Sequence, residues 1–206
     1  MIRKACERAD WTYIRDLCAR TGNAGDPIEP ARNPFFSELW VGPYEKLRPE
    51  WTYLAESAEF PVGYLTGVPD SRVFLRERRW LFELPLYLRL GFGAFPDSRD
   101  TQRFRDRFLR REPGPEESFP MNATESVLEE YPAHLHLNLE ASARGEGLGR
   151  RLIAQFQADL NAVGVHGIHV YCGDVPLPFY RRLGFTELDR IEFRPGALVY
   201  RLGSRF

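Results

Sequence analysis

Alternation marks the centre of this chain. From His134 to Leu139, three leucines (Leu135, Leu137, Leu139) point one way, and His134, His136 and Asn138 point the other. That period of two predicts a strand with one apolar and one polar face. The run Arg144-Gly145-Glu146-Gly147-Leu148-Gly149 then forms a glycine-interrupted turn that opens a helix, because Leu148, Leu152, Ile153, Phe156, Leu160 and Val163 recur at helical spacing. Strand, glycine loop and helix start make an anion-binding arrangement. The first helical turn has amide donors without intrahelical partners, the helix dipole adds positive potential, and glycines let the backbone close on a phosphate.

The same patterns place the other elements. Ile2 to Ala19 reads as a first helix entered near Arg8 to Asp10, with Trp11, Ile14, Leu17 and Cys18 as its apolar stripe. Residues 21–27 read as a loop by turn chemistry, and Phe35 to Val41 as a short helix ended by Gly42-Pro43. Trp51 to Glu56 and Pro61 to Gly67 predict a hairpin. Asp100 to Arg111 predicts an amphipathic helix with Phe104, Phe108 and Leu109 inward, stopped by Pro113-Gly114-Pro115. Asn122 to Glu125 then cap a short helix that stops before Pro132. Gly167 to Cys172 is a second strand, and Ile191 to Leu202 a last strand region with a turn at Pro195-Gly196. Together these predict one α/β domain over 1–206 with a helical, arginine-rich insertion at about 69–131.

Composition narrows the setting. Hydrophobic residues at 43% predict a packed globular protein. Lys plus Arg is 28 against 29 Asp plus Glu, so overall charge gives no push towards nucleic acid or a membrane surface. No run approaches the roughly eighteen apolar residues of a membrane span, and the start lacks an apolar signal core, so a cytoplasmic protein is expected. Cys6, Cys18 and Cys172 lack metal-ligand spacing and read as reduced thiols. His134 and His136 have no nearby third ligand and read as a structural pair, so no metal is expected.

Arg144-x-x-Gly147-x-Gly149 after a strand resembles the pyrophosphate-binding motif of the GCN5-related N-acetyltransferases (GNAT). Phe179-Tyr180-Arg181-Arg182-Leu183-Gly184-Phe185, after the second strand, is similar to the second signature of that family. Leu39 to Tyr44, Tyr131 to Leu137 and the insertion narrow the likeness. They resemble bacterial proteins similar to the acetyltransferase-like C-terminal domain of eukaryotic O-GlcNAc hydrolases. In that group the eukaryotic domain has lost its cofactor loop; here Arg144, Gly145, Gly147 and Gly149 are all present.

The resemblance implies a GNAT fold: a mixed, mostly antiparallel sheet with splayed central strands, flanked by helices. It implies acetyl-CoA as co-substrate and acetyl transfer to a primary amine, on a small molecule or peptide, by direct attack. The backbone of Leu137, Asn138 and Leu139 would bind the pantetheine arm, and Arg144, Gly145, Glu146, Gly147, Leu148, Gly149 and Arg150 the diphosphate, with Phe179 alongside. Tyr180 matches the usual general acid. For the base, Asp174 comes first and His136 and Glu140 follow. Gly173 and Pro176 stand where many members carry Asn and Ala, which puts one pantetheine contact in question, while Pro176 and Pro178 suit a helix start. A non-catalytic module holding CoA or a protein partner is the competing class. Phe193 and Tyr200, read as exposed, would permit a homodimer through the last strands.

Overall fold

A computed structural model describes residues 1–22, 25–110 and 118–206. The expected loop residues Asn23 and Ala24 and the stop at Pro113-Gly114-Pro115 lie outside them, as does the Asn122 side chain expected to cap a helix. Seven strands form one sheet: β1 (Ile2–Lys4), β2 (Thr52–Ser57), β3 (Phe60–Val68), β4 (Ala133–Leu139), β5 (Gly167–Cys172), β6 (Thr186–Arg194) and β7 (Ala197–Arg205). Their order is β1-β2-β3-β4-β5-β7-β6. Every neighbouring pair is antiparallel except β4–β5. The helices are α1 (Arg8–Thr21), α2 (Asn33–Leu47), α3 (Ser71–Glu77), α4 (Leu84–Gly91), α5 (Arg99–Arg110), α6 (Met121–Glu130), α7 (Leu148–Ala162) and α8 (Leu177–Arg182). The mixed, mostly antiparallel sheet with a split centre agrees with expectation.

Strand alternation divides the core. Tyr53 and Ala55 of β2 and Leu65 of β3 join Leu152, Ile153, Phe156 and Leu160 of α7 on one face. The intervening Leu54 and Tyr64 pack on the other face with Trp11, Ile14 and Leu17 of α1 and Val41 of α2. Phe156 lies so close to β3 that a Cβ on Gly67 would sit 2.5 Å from its ring, so this strand position requires glycine. A third cluster, Phe35, Phe82, Leu86, Leu90 and Phe104, ties α4 and α5 to α2.

Several expectations are corrected. Ile2–Lys4 is a strand, not the start of a helix. Arg3 bridges Asp10 at 2.7 Å and Glu56 at 2.6 Å, so a charged three-residue edge strand is held by ion pairs that hydropathy does not register. The Asp10 carboxylate also accepts from the Cys6 and Glu7 amides, which sets the entry of α1. The second helix runs to Leu47, through Gly42-Pro43. Pro43 gives up one helical donor, but a Cβ on Gly42 would lie 2.7 Å from the Phe82 ring, and that close packing holds the helix together. Leu109 and Val163, expected inward, are exposed. The last strand region is a hairpin, β6–β7, in which Tyr200 is buried and not an exposed dimer edge.

The polar face of β4 is half-buried against the helices. His134 stands between the Tyr44 hydroxyl at Nε2 (2.9 Å) and the Ser71 hydroxyl at Nδ1 (2.7 Å). Opposite it on β5, His169 is 2% exposed and its Nδ1–H donates to the Tyr131 carbonyl at 2.6 Å. Burial pushes the pKa of His134 well below the ordinary histidine value and that of His169 down to about 4. Arg201 of β7 is fully buried, donating to Thr124 of α6 (2.9 Å) and pairing with Asp189 of β6 (3.3 Å), with Phe119 over its guanidinium.

A histidine kept neutral by folding binds fewer protons than its unfolded counterpart between the two pKa values. Stability is therefore full above about pH 6.5 and falls as pH drops towards 4, by about 1.4 kcal/mol per pH unit for each such group. Urea denaturation across this range is expected to show the decline, and His169→Gln, which keeps a donor for Tyr131, is expected to reduce its slope.

Candidate functional site

The parallel pair at the sheet centre is short. β4 and β5 share only Ala133↔Ile168 and His134↔His169. Beyond these, β4 stays paired to β3 as far as Leu139↔Gly63, and β5 to β7 as far as Cys172↔Tyr200. Each limb is held on its outer edge, so the inner edges of 135–139 and 170–172 face a gap. Leu137, Asn138 and Leu139 thus present inner-edge backbone without a strand partner, while the Asn138 side chain donates to the Tyr64 hydroxyl at 2.8 Å.

The β4 limb leads straight to the glycine loop. The Glu140 amide extends the ladder to the Val62 carbonyl at 2.9 Å, one tight turn follows at Ala141–Ala143, and residues 144–147 are exposed. Gly145 and Gly147 hold φ of +90° and +75°, left-handed values that favour glycine. Gly147 precedes α7, and no side chain caps the first-turn amides of Leu148, Gly149 and Arg150. A Cβ at Gly145 or Gly147 would meet nothing within 4 Å, so open space lies over this turn. At Gly149 the reason differs: its Cβ would lie 2.9 Å from the Phe179 ring and 3.3 Å from Leu139 Cδ1. That glycine lets α8 and the end of β4 close on the start of α7. The arrangement offers an anion several backbone donors at a positive helix end. Arg144 and Arg150 are exposed beside it, Arg144 reaching the Leu139 carbonyl at 3.4 Å; Glu146 is exposed too.

The second limb leads to α8. Pro176 precedes it, and its carbonyl accepts from Phe179 at 3.0 Å, so the helix forms from the proline-rich entry as expected. Tyr180 is buried between Phe179 (5.1 Å) and Phe185 (5.4 Å), and its hydroxyl has no hydrogen-bond partner among the described residues. Burial, then the neighbouring Cys172, raises its pKa above the ordinary tyrosine value. The phenol therefore keeps its proton throughout the physiological range. Burial likewise pushes the Cys172 thiol up to about 11, so it stays a neutral thiol.

The candidate bases do not converge. Asp174 is exposed just beyond β5 and accepts from the Tyr200 hydroxyl at 2.9 Å. Tyr200 and Tyr180 belong to the α7-side cluster, so Asp174 sits at the end of that layer. Glu140 accepts from Tyr13 and Arg20 of α1, both at 3.1 Å. His136 lies on the opposite, α2-facing side of β4, its ring 6.0 Å from that of Trp40 and 5.7 Å from that of Tyr44. The sequence reading missed Trp40, which is 38% exposed beside this face. The i, i+4, i+8 spacing of Phe36, Trp40 and Tyr44 carried the signal, but the short helix expected there ended before Tyr44. Among the described residues, no group of three or more His, Cys, Asp and Glu side chains is placed to hold a metal ion.

The mixed, mostly antiparallel seven-stranded sheet flanked by helices is a fold shared with acetyltransferases of the GNAT family. The protein SsHAT superposes with a TM-score of 0.73 at 28% identity, covering 100% of this chain and 97% of that one. A GNAT-family protein of Desulfovibrio desulfuricans matches at 0.57 and 14% identity over 100% and 98% of the two chains. An aminoglycoside 6'-N-acetyltransferase complexed with coenzyme A matches at 0.56 and 12% over 100% and 96%. No protein-family model matches the sequence.

Gly149→Ala is expected to cost about 1–3 kcal/mol, because the added methyl would press on the Phe179 ring at 2.9 Å and on Leu139 Cδ1 at 3.3 Å. Urea denaturation measures it, and Gly145→Ala, set in open space at a left-handed φ, is expected to cost less, about 1 kcal/mol.

Proposed function

We propose that this protein transfers the acetyl group of acetyl-CoA to a primary amine by direct attack. The observation that carries the reading is the fork itself, with an uncapped α7 start at the end of one limb and Tyr180 beside Cys172 at the end of the other. Acetyl-CoA brings an activated thioester. The amides of residues 145–149, with Arg144 and Arg150 as charged neighbours, would hold its diphosphate. Each charge-assisted hydrogen bond contributes about 1.5–3 kcal/mol, so a few suffice for micromolar affinity after the cost of association. The inner edge of Leu137 to Leu139 would pair with the amides of the pantetheine arm, as a third strand would. Phe179, packed on Gly149, borders that arm.

Tyr180 gives its proton to the sulfur as the carbon–sulfur bond breaks; its raised pKa keeps that proton in place until then, and the transfer requires that the same buried surroundings make the leaving thiolate comparably basic. An amine arriving from the α2 side would meet His136, whereas Asp174 stands with Tyr200 on the layer of the acid. Either could accept the amine proton, directly or through water. The fold class suits small-molecule and peptide acceptors alike.

Gly147→Trp is expected to abolish acetyl-CoA binding in calorimetry without unfolding the protein, since the space over Gly147 is open and only its left-handed φ resists. Tyr180→Phe is expected to leave that affinity intact and lower kcat by about 10²–10⁴-fold. Tight binding with no CoA release to any amine, unaltered in Tyr180→Phe, would point to a non-catalytic CoA-binding module instead.

The base is identified separately. The variant, Asp174→Asn or His136→Gln, that flattens the acidic limb of the kcat/KM profile marks the proton acceptor, and the other is expected to keep the wild-type profile.

A further inference from the structure

The gap between β4 and β5 has two faces, and they are closed to different degrees. On one face Leu148, Cys172, Leu177 and Tyr180 are all buried in the α7-side cluster. On the other, polar and aromatic side chains alternate out of the strands: His134, His136 and Asn138 from β4, His169 and Tyr171 from β5. His134 and His169 meet where the strands still pair, with their rings 5.8 Å apart. Two residues further along each limb stand His136 and Tyr171, so the register puts them on either side of the gap at its closed end. A second substrate therefore approaches from this face, because the core fills the other.

Both residues are backed by aromatic rings. Trp40 and Tyr44 of α2 flank His136, and the Tyr44 hydroxyl is fixed on His134. Tyr171 meets His169 edge-on at 5.5 Å and packs on Phe119 at 5.4 Å. Tyr44 and Phe119 are buried, and His136 and Tyr171 half-buried. Trp40 differs: its ring is exposed, although Phe36 supports it at 6.1 Å. A large indole is thus left uncovered beside the limb whose inner edge faces the gap.

The polar groups nearby decide what kind of molecule suits this face. Glu38 of α2 is taken by Arg15 and Arg89, Glu45 by Arg15, and Glu140 at the end of β4 by Arg20 and Tyr13. The Asn138 amide is spent on Tyr64. A sugar or a polyamine needs several hydrogen bonds or carboxylates, and here those groups are already paired. An aromatic ring needs a ring face to stack on, which Trp40 offers. Burial keeps His134 and His169 neutral, so these two set no positive charge against an arriving ammonium.

We propose that Trp40 determines acceptor specificity, and that the acceptor is a primary amine joined to an aromatic ring by a short alkyl arm. The ring stacks on the indole, and the amine reaches past His136 into the gap. This inference rests on the acetyl-transfer reading and names the substrate class of that site. In the transfer the nitrogen–carbon bond forms as the carbon–sulfur bond breaks; one amine proton leaves the nitrogen, and the sulfur takes the Tyr180 proton. The products are an N-aryl-alkyl acetamide and the thiol of CoA.

The test uses the full chain and two measurements. Thiol release from acetyl-CoA compares phenethylamine with butylamine and glucosamine. The expected kcat/KM for phenethylamine is at least about tenfold the higher of the other two. Trp40→Ala is expected to bring that ratio close to one through KM, Trp40→Phe to keep most of it, and both to bind acetyl-CoA as the wild type does. Calorimetry of phenethylamine on the free and the CoA-bound protein reads the pocket without turnover. Binding that Trp40→Ala abolishes, with no amine releasing CoA, would sink the transfer reading and leave the ring site standing. The proposal is overturned if phenethylamine neither binds nor is preferred, if butylamine or glucosamine is acetylated as well, or if Trp40→Ala keeps the preference.

Discussion

The split at the sheet centre governs everything around it, and it results from a competition over strand edges. β4 and β5 are parallel and share two residue pairs, whereas each makes six antiparallel pairs with its outer neighbour. Antiparallel pairing is the slightly stronger mode and here has the longer register, so each limb follows its outer partner and the inner edges part. Backbone groups left unpaired in this way must find another acceptor or donor, and an amide-bearing ligand is a natural one. The gap is therefore the consequence of the topology, and it leaves a strip of strand edge open.

Two glycines on α7 and β3 show how tightly the surroundings of the gap are specified. Gly67 admits Phe156 against the sheet, and Gly149 admits Phe179 against the helix start. Both are required by close approach. Gly145 and Gly147 have empty space above them and are required by backbone conformation instead. One short sequence thus contains glycines that pack and glycines that turn, which explains why the spacing of the loop is informative while the reason for each glycine is visible only in three dimensions.

Much of the central fold was legible because its elements alternate cleanly. β4, β5 and α7 follow from leucine spacing, and the β2–β3 hairpin from β-formers bounded by turn residues. The glycine loop and the position of Tyr180 were equally plain in the chain. What escaped was decided by long-range pairing. β1 is three residues with two charges, fixed by Arg3 reaching Asp10 and Glu56. α2 crosses Gly42-Pro43 because Phe82, forty residues away, packs on Gly42. Tyr200 looked like an exposed edge aromatic, yet the β5 pairing turns it inward to Asp174. Of the candidate bases, sequence order favoured Asp174, and only the two faces of β4 reveal that His136 looks towards α2 whereas Tyr180 lies on the α7 side.

The position of β7 has a consequence for how the chain is made. This strand follows β6 in sequence but lies between β5 and β6 in the sheet, and the buried Arg201 on it links β6 to α6. During synthesis, β5 emerges well before the strand that covers its outer edge, and β6 emerges with nothing to join it to the sheet. Until β7 arrives, the growing chain carries an uncovered central strand, the kind of edge that recruits neighbouring chains. The outer support of the β5 limb therefore waits on β7, and a pause in translation before that strand would leave the edge of β5 open to other chains.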